Sequence, residues 1–205
     1  AERTIVVYVT DNGWIQRTAA TEVPEGWRQN FAPRSKQSPN EVGVRTPIMI
    51  RWPGRVPARR DESTVVSSVD LVPTLLHAVG GEVPDGMPGV DLLERNGEVE
   101  GTALAGREAI FGEHYAHDVV LEDDTARLLT RWTISGRWKL LISHRGDITG
   151  HESLHGGRKT AVQLYDLLAD PHEERNLAAE QPGEVERLRE LLDAWWAPER
   201  PAVFE

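Results

Sequence analysis

Residues 4–14, Thr-Ile-Val-Val-Tyr-Val-Thr-Asp-Asn-Gly-Trp, join a run of strand-forming residues to a short polar corner. The continuous β-branched and aromatic run predicts a strand buried on both faces, as in a parallel sheet. Asp11 and Asn12 then stand at the carboxyl end of this strand, where open α/β sheets bind their ligands. A carboxylate beside an amide oxygen suits a hard cation such as calcium or magnesium. The alternative is a simple turn, because Asn-Gly after a strand is a strong hairpin signal.

The composition is that of a globular protein with an uneven distribution of charge. Among 205 residues, 27% are charged and 39% are hydrophobic, and the net charge is −10. Residues 1–60 carry ten Lys or Arg against five acidic residues, a net +5, whereas the remainder carries 13 against 28, a net −15. The basic segment suits an anionic substrate, and the acidic remainder argues against a nucleic-acid partner.

Two further absences in the sequence exclude other classes of function. No apolar run approaches the roughly 20 residues of a membrane-spanning helix, so no membrane partner is expected. The chain contains no cysteine, which excludes disulfides, thiolate metal ligands and a cysteine nucleophile within these residues.

Five segments, taken in order, resemble the C-terminal half of the type I sulfatase family, part of the alkaline phosphatase superfamily. They are VTDNGW (9–14), KQSPNEVGVRTPIMIRWPG (36–54), SSVDLVPTLLHAVG (67–80), RWTISGRWKLLI (131–142) and QLYDLLADPHEERNLA (163–178). The resemblance runs from about Thr4 to Trp196. It implies hydrolysis of sulfate esters, with carbohydrate sulfates as the expected substrates.

The second segment follows the family's loop pattern, Lys-x-Ser/Thr-x-Tyr-Glu-Gly-Gly-x-Arg-x-Pro, with two departures. Asn40 stands where Tyr is usual, and Val42 stands where Gly is usual. Because Val is excluded from the positive φ that Gly can adopt, the family's exact backbone path need not carry over to this loop. Arg45 is expected to be a structural ion-pair partner of Glu41.

The resemblance also implies roles for particular residues. Asp11 and Asn12 would be two ligands of a calcium ion, and Lys36 would be a catalytic residue that binds the sulfate. A cation and an ammonium group neutralise the charge on the sulfuryl oxygens. His114, His117 and Asp118 lie in a region that the family often uses for the organic part of its substrate; a plain surface loop is the alternative.

The expected fold is α/β in two parts. Residues 1–81 would form the C-terminal portion of the catalytic α/β domain, with an alkaline-phosphatase-like parallel sheet. Residues 82–107, rich in Gly, Pro and Glu, would be a linker. Residues 108–205 would form a small antiparallel α+β subdomain with a packed C-terminal helix.

Local patterns predict the elements of both parts. In the first part we expect an edge strand at 64–66 and a helix from Leu71 to Val79, capped by Asp70, with Leu71, Leu75, Ala78 and Val79 as its apolar stripe. In the second, Ser135-Gly136 would join two strands as a hairpin. The predicted strands are Ala109–Glu113, Arg127–Ile134, Trp138–Ser143 and Val162–Leu167, and the predicted last helix is Gly183–Trp196, with Val185, Leu188, Leu192 and Trp195 on one face.

The family's nucleophile is a formylglycine made from the first residue of a Cys/Ser-x-Pro-x-Arg segment, and these 205 residues contain no such segment. The paired aspartates that complete the family's calcium site are also missing, and calcium needs 6–8 oxygens. The chain is therefore predicted to be a C-terminal sulfatase fragment, inactive alone, with the N-terminal half as its missing partner. Its first strand would expose an open edge and apolar surface, which favours self-association.

Two other functions remain open at this point. A phosphonate or phosphate ester hydrolase of the same superfamily is one, although Lys36 argues against it. So does Asn12, since those relatives commonly carry His at this corner and imidazole favours zinc-like metals. A non-catalytic binding or assembly module is the other, and the missing nucleophile segment favours it.

Overall fold

The computed structural model describes residues 3–14, 22, 34–93, 104–117, 119–120, 122–147, 149 and 162–198. The chain divides into two compact units, residues 1–11 with 46–110 and residues 12–45 with 111–205. In chain order the elements are β1 (Val6–Tyr8), α1 (Glu41–Val44), β2 (Met49–Arg51), α2 (Leu71–Ala78), β3 (Ile110–Tyr115), β4 (Leu128–Ser135), β5 (Trp138–Ser143), β6 (Val162–Asp166) and α3 (Pro182–Trp195). The domain boundaries expected at residues 81 and 108 stay a prediction.

The first unit contains a two-stranded sheet in which β1 pairs antiparallel with β2, Val7 opposite Ile50. The prediction of a parallel pairing with burial on both faces is therefore wrong for these strands. Val6, Tyr8 and Met49 share one face, and each is at least half exposed. Each strand has one neighbour in this sheet. The apolar run of β1 is therefore not deeply buried, and it contributes to the exposed apolar surface that was also expected.

A 3-10 turn, Ser68–Asp70, leads into α2. Asp70 occupies the N-cap position of α2, as predicted, but its side chain makes no capping hydrogen bond to that helix. Instead it accepts the Ser67 N–H at 2.8 Å, within the 3-10 turn. The predicted apolar stripe is also wrong, because α2 buries Pro73 and Thr74 while Val79 is 77% exposed.

The predicted edge strand at 64–66 does not form. Asp61 explains this, because its Oδ1 accepts the N–H groups of Ser63 and Thr64, both at 3.0 Å. This turn takes donors that a strand ladder would need.

The second unit contains a four-stranded antiparallel sheet in the order β3-β4-β5-β6. The β4–β5 hairpin is confirmed, but Ser135 still pairs with Trp138, so the two-residue turn is Gly136-Arg137 rather than Ser135-Gly136. Gly136 has φ +57°, which a two-residue hairpin turn requires and which glycine adopts without strain.

Helix α3 packs on this sheet and closes its core. Leu188 and Leu192 join Leu140, Ile142 and Leu164 in one buried cluster. Trp195, at the end of the same helical face, stacks on Phe111 with ring centroids 5.3 Å apart. The mixed α/β fold with a small antiparallel sheet and a packed C-terminal helix is confirmed. Within the described ranges, none of the helices has the length and apolar character needed to cross a membrane.

Candidate functional site

The polar corner after β1 is bonded to the segment that carries Lys36. Gly13 N–H donates to Gly43 O at 2.8 Å and Trp14 N–H donates to Val42 O at 2.7 Å, while Lys36 N–H donates to Trp14 O at 3.1 Å. The corner is thus not the turn of a hairpin, since β1 pairs with β2. These three bonds bring Asn12 and Lys36, which are separated in sequence, into one part of the second unit.

Two glycines allow this close approach. A Cβ on Gly13 would lie 2.2 Å from Val42 O, and a Cβ on Gly43 would lie 2.3 Å from Ser35 O. Neither atom can shift alone, because both are main-chain oxygens. Glycine is therefore required at these two positions by space rather than by φ.

Asn12 and Asp11 supply oxygen atoms of the kind that a calcium ion prefers. Asn12 Nδ2 donates to Gly13 O at 2.7 Å, which fixes the side-chain amide by its nitrogen and directs its oxygen the other way. Asp11 immediately precedes it and is exposed. An oriented amide oxygen next to a carboxylate fits a hard cation, although two residues supply only part of the 6–8 oxygens needed. Within the described ranges, this corner included, no group of three or more His, Asp or Glu side chains is arranged to hold a metal.

The segment around Lys36 has an unusual backbone. Arg34 and Gln37, on either side of the half-buried Lys36, have φ of 55° and 68°. Val42 lies within α1 and is not among the residues with positive φ. The backbone at this position is an ordinary helical turn, which accepts valine.

Glu41 has a different partner from the one predicted. Its Oε1 lies 2.8 Å from Nζ of Lys139 on β5, whereas the Arg45 side chain is exposed and only the Arg45 N–H reaches Glu41, at its main-chain oxygen. Glu173 completes the group, with Oε1 3.1 Å from Lys139 Nζ. Sequence reasoning missed Lys139 and Glu173. The available signal was a lone lysine within the otherwise apolar strand Trp138–Ser143.

The residues suggested for the organic part of the substrate lie at the end of β3. His114 is half-buried in β3 and His117 is exposed just after it, while Asp118 lies outside the described residues. Beside them, burial and the carboxylates of Glu113 and Asp124 raise the pKa of Tyr115 to about 12, so its phenol stays a neutral donor. A role for this loop in substrate binding stays a prediction.

Comparisons with known proteins agree with this fold and sequence. The chain is 25% identical to an N-acetylgalactosamine-6-O-sulfatase of Bacteroides thetaiotaomicron, over 94% of its own length and 36% of that protein. It is 29% identical to arylsulfatase K of Mus musculus, over 88% of its length and 28% of that protein. The chain thus spans about a third of the length of these curated relatives.

Solved structures show the same fold. BT4656 in complex with its substrate D-glucosamine-2-N,6-O-disulfate matches with a TM-score of 0.64 and 24% identity, over 95% of this chain and 34% of that one. BT1596, a 2-O glycosaminoglycan sulfatase, matches with a TM-score of 0.65 and 21% identity, over 95% and 36%.

The fold and these relatives define the class as sulfatases, which confirms the resemblance found in the sequence. Residues 35–194 match the family model described as N-sulphoglucosamine sulphohydrolase, C-terminal, and the chain belongs to this family.

Proposed function

We propose that the chain is the C-terminal portion of a sulfatase that hydrolyses sulfate esters of carbohydrates. The observation that carries this proposal is the attachment of the Asn12 corner to the Lys36 segment by three main-chain hydrogen bonds. These bonds place Lys36, whose ammonium suits an anionic ester, in the same part of the second unit as Asn12, whose amide oxygen suits a cation. Relatives named as sulfatases of N-acetylgalactosamine and N-acetylglucosamine support a carbohydrate sulfate as the substrate.

Lys36 contributes a positive charge where the sulfate would lie. Its ammonium can donate hydrogen bonds to sulfuryl oxygens, and such preorganised donors lower the barrier most when charge accumulates in the transition state. The excess of basic residues in residues 1–60, a net +5, favours the approach of an anionic substrate.

Asp11 and Asn12 are proposed as two ligands of a calcium ion, with the remaining oxygens supplied from outside these residues. When bound, calcium would neutralise charge on the sulfate. The nucleophile, a formylglycine, is likewise proposed to come from an N-terminal portion, since the 205 residues contain no cysteine and no Ser-x-Pro-x-Arg segment. Without a nucleophile, positioning alone gives little turnover, so the chain by itself is expected to be inactive.

The test compares this chain with the polypeptide extended upstream as its gene encodes. Release of sulfate is measured from 6-O-sulfated N-acetylhexosamines. The extended protein is expected to turn over, and Lys36→Ala is expected to lower kcat/KM by about 10²–10³-fold. The matched control is Arg60→Ala, which removes one charge from the same basic segment at an 84% exposed side chain paired with Glu62.

Two results would contradict the proposal. If Lys36→Ala keeps the kcat/KM of Arg60→Ala, Lys36 does not contact the sulfate. If the extended protein binds sulfated glycans without turnover, the chain belongs to a binding module. Calorimetric titration with calcium tests the metal separately, because Asn12→Ala is expected to weaken binding, and unchanged affinity would remove Asn12 from the ligand set.

A further inference from the structure

Among the described residues, the largest fully buried side chain is that of a basic residue, Lys139. It is 0% exposed, and Nζ lies 2.8 Å from Glu41 Oε1, 3.1 Å from Glu173 Oε1 and 5.4 Å from the centroid of the Trp132 ring. Taking such a charge out of water costs several kcal/mol unless it is well paired. The two carboxylates beside Lys139 supply this pairing.

These contacts hold both ends of the short segment that contains Lys36. At one end, Glu173 Oε2 accepts the Glu41 N–H at 2.8 Å. At the other end, the Arg34 guanidinium donates to the main-chain oxygen of Glu173. Lys139 joins the Glu41 and Glu173 carboxylates. We call Arg34, Glu41, Lys139 and Glu173 the buried clamp; their formal charges sum to zero.

The backbone of this region is held in unfavourable conformations. Across the described ranges, the non-glycine residues with positive φ are Arg34, Gln37 and Glu173, at 55°, 68° and 57°. Such conformations are unfavourable for a residue with a Cβ and persist only where surrounding contacts determine them. Two of them belong to the buried clamp, and the third follows Lys36 directly.

We propose that Lys139 and Glu173 are positioning residues that act through Lys36. Strand β5 supplies Lys139 and the segment after β6 supplies Glu173. Through them the clamp holds residues 34–41 in the strained conformation that directs the Lys36 ammonium to the sulfate. The proposal rests on the proposed contact between Lys36 and the sulfate. A role in stability alone would not need these charges, since buried ion pairs are often replaced by apolar residues without loss.

The first experiment uses Lys139→Met in the upstream-extended protein. Methionine keeps most of the volume but leaves two buried carboxylates without their cation. Hydrogen–deuterium exchange of peptides covering residues 34–45 is expected to become faster while exchange in β4 and β6 stays slow. The kcat/KM is expected to fall by about 10–100-fold, since small misplacements of a catalytic group have effects of this size. Glu173→Gln, which keeps the shape, serves if Lys139→Met does not fold.

Two further variants separate positioning from stability. Lys139→Arg keeps a cation beside the Glu41 and Glu173 carboxylates and is expected to retain most of the kcat/KM. Arg137→Met is the matched control. Arg137 lies in the β4–β5 hairpin that also carries Lys139, its side chain is 46% exposed, and the substitution breaks its ion pair with Asp166. It is expected to leave exchange at residues 34–45 unchanged.

A double mutant decides whether Lys139 acts through Lys36. Lys139→Met added to Lys36→Ala is expected to cause no further loss of kcat/KM. If the losses of kcat/KM from the two substitutions multiply in the double mutant, the proposal is overturned. Unchanged hydrogen exchange at residues 34–45 in folded Lys139→Met would also overturn it. If Lys36→Ala alone has no effect, the proposed function fails, whereas the exchange measurement still reports whether the clamp fixes the segment.

Discussion

Gly13→Ala tests the join between the Asn12 corner and the Lys36 segment. The added Cβ would lie 2.2 Å from Val42 O and 2.9 Å from the carbonyl carbon of Gly43, well inside normal contact. The clash involves main chain on both sides, so no rotamer change relieves it. Either the two segments stay bonded under strain or they separate.

Both outcomes have an estimable cost. Strain from one inserted methyl group in a packed site costs about 1–3 kcal/mol. Separation loses the bonds from Gly13 N–H to Gly43 O and from Trp14 N–H to Val42 O, at 2.8 and 2.7 Å, worth about 1 kcal/mol each. Because the molecule takes the cheaper route, the expected loss is about 2 kcal/mol rather than the sum.

The assay is hydrogen–deuterium exchange at Gly13 and Trp14, together with urea unfolding of the chain. Gly183→Ala is the matched control, since Gly183 lies in α3 with no atom within 4 Å of an added Cβ. The variant Gly13→Ala is expected to lose about 2 kcal/mol of protection at these amides, while the control matches or exceeds the wild type. Equal protection in both variants would refute the close approach.

Three other expectations follow from packing and charge. Leu188→Ala, at a side chain that is 0% exposed, is expected to cost about 2–5 kcal/mol in urea unfolding, whereas Leu168→Ala, at a 76% exposed residue, should stay within about 0.5 kcal/mol; similar values for both would contradict the packing of α3. Asp70→Asn is expected to cost about 3 kcal/mol, because it breaks the pair with Arg107 at 2.5 Å. Burial opposes ionisation of Asp70, but hydrogen bonds from Arg107 and main-chain N–H groups outweigh it and hold the pKa below its usual value. The stabilisation from this carboxylate is therefore complete above the unfolded-state pKa of about 4, and it is lost as the pH falls through the folded-state pKa. The urea unfolding curves of wild type and Asp70→Asn should accordingly converge in acid.

Short-range patterns were sufficient for much of the fold. Alternating and continuous apolar runs located β4 to β6 within a few residues, and the helical spacing of Leu188 and Leu192 placed the last helix on the sheet. The turn beside Gly136 was displaced by one residue, because which residue leaves the ladder depends on cross-strand pairing. The existence of these strands and of the helix depends on residues close in sequence, whereas the exact turn does not.

The candidate site was predicted in part. Asp11, Asn12 and Lys36 were predicted as site residues because their motifs are local and occur in order with others. The structure bonds the Asn12 corner to the Lys36 segment, and the roles of the three residues stay a prediction. The sequence placed Glu41 with Arg45, four residues away, yet its partner is Lys139, 98 residues away along the chain. The partner in such an ion pair depends on burial rather than on sequence distance. A lysine in the core must be paired, and its partners are the carboxylates that folding places beside it.

The sequence by itself determined the family, because membership shows in residue type and spacing along the chain. The tertiary structure decided the antiparallel pairing of β1 with β2 and the exposure of their apolar face, since pairing depends on which strands are neighbours. It also decided how Lys36 is held. Trp14 O accepts the Lys36 N–H, and Lys139 and Glu173 contact Glu41 at the end of the same segment, because folding brings distant segments together and removes their polar groups from water.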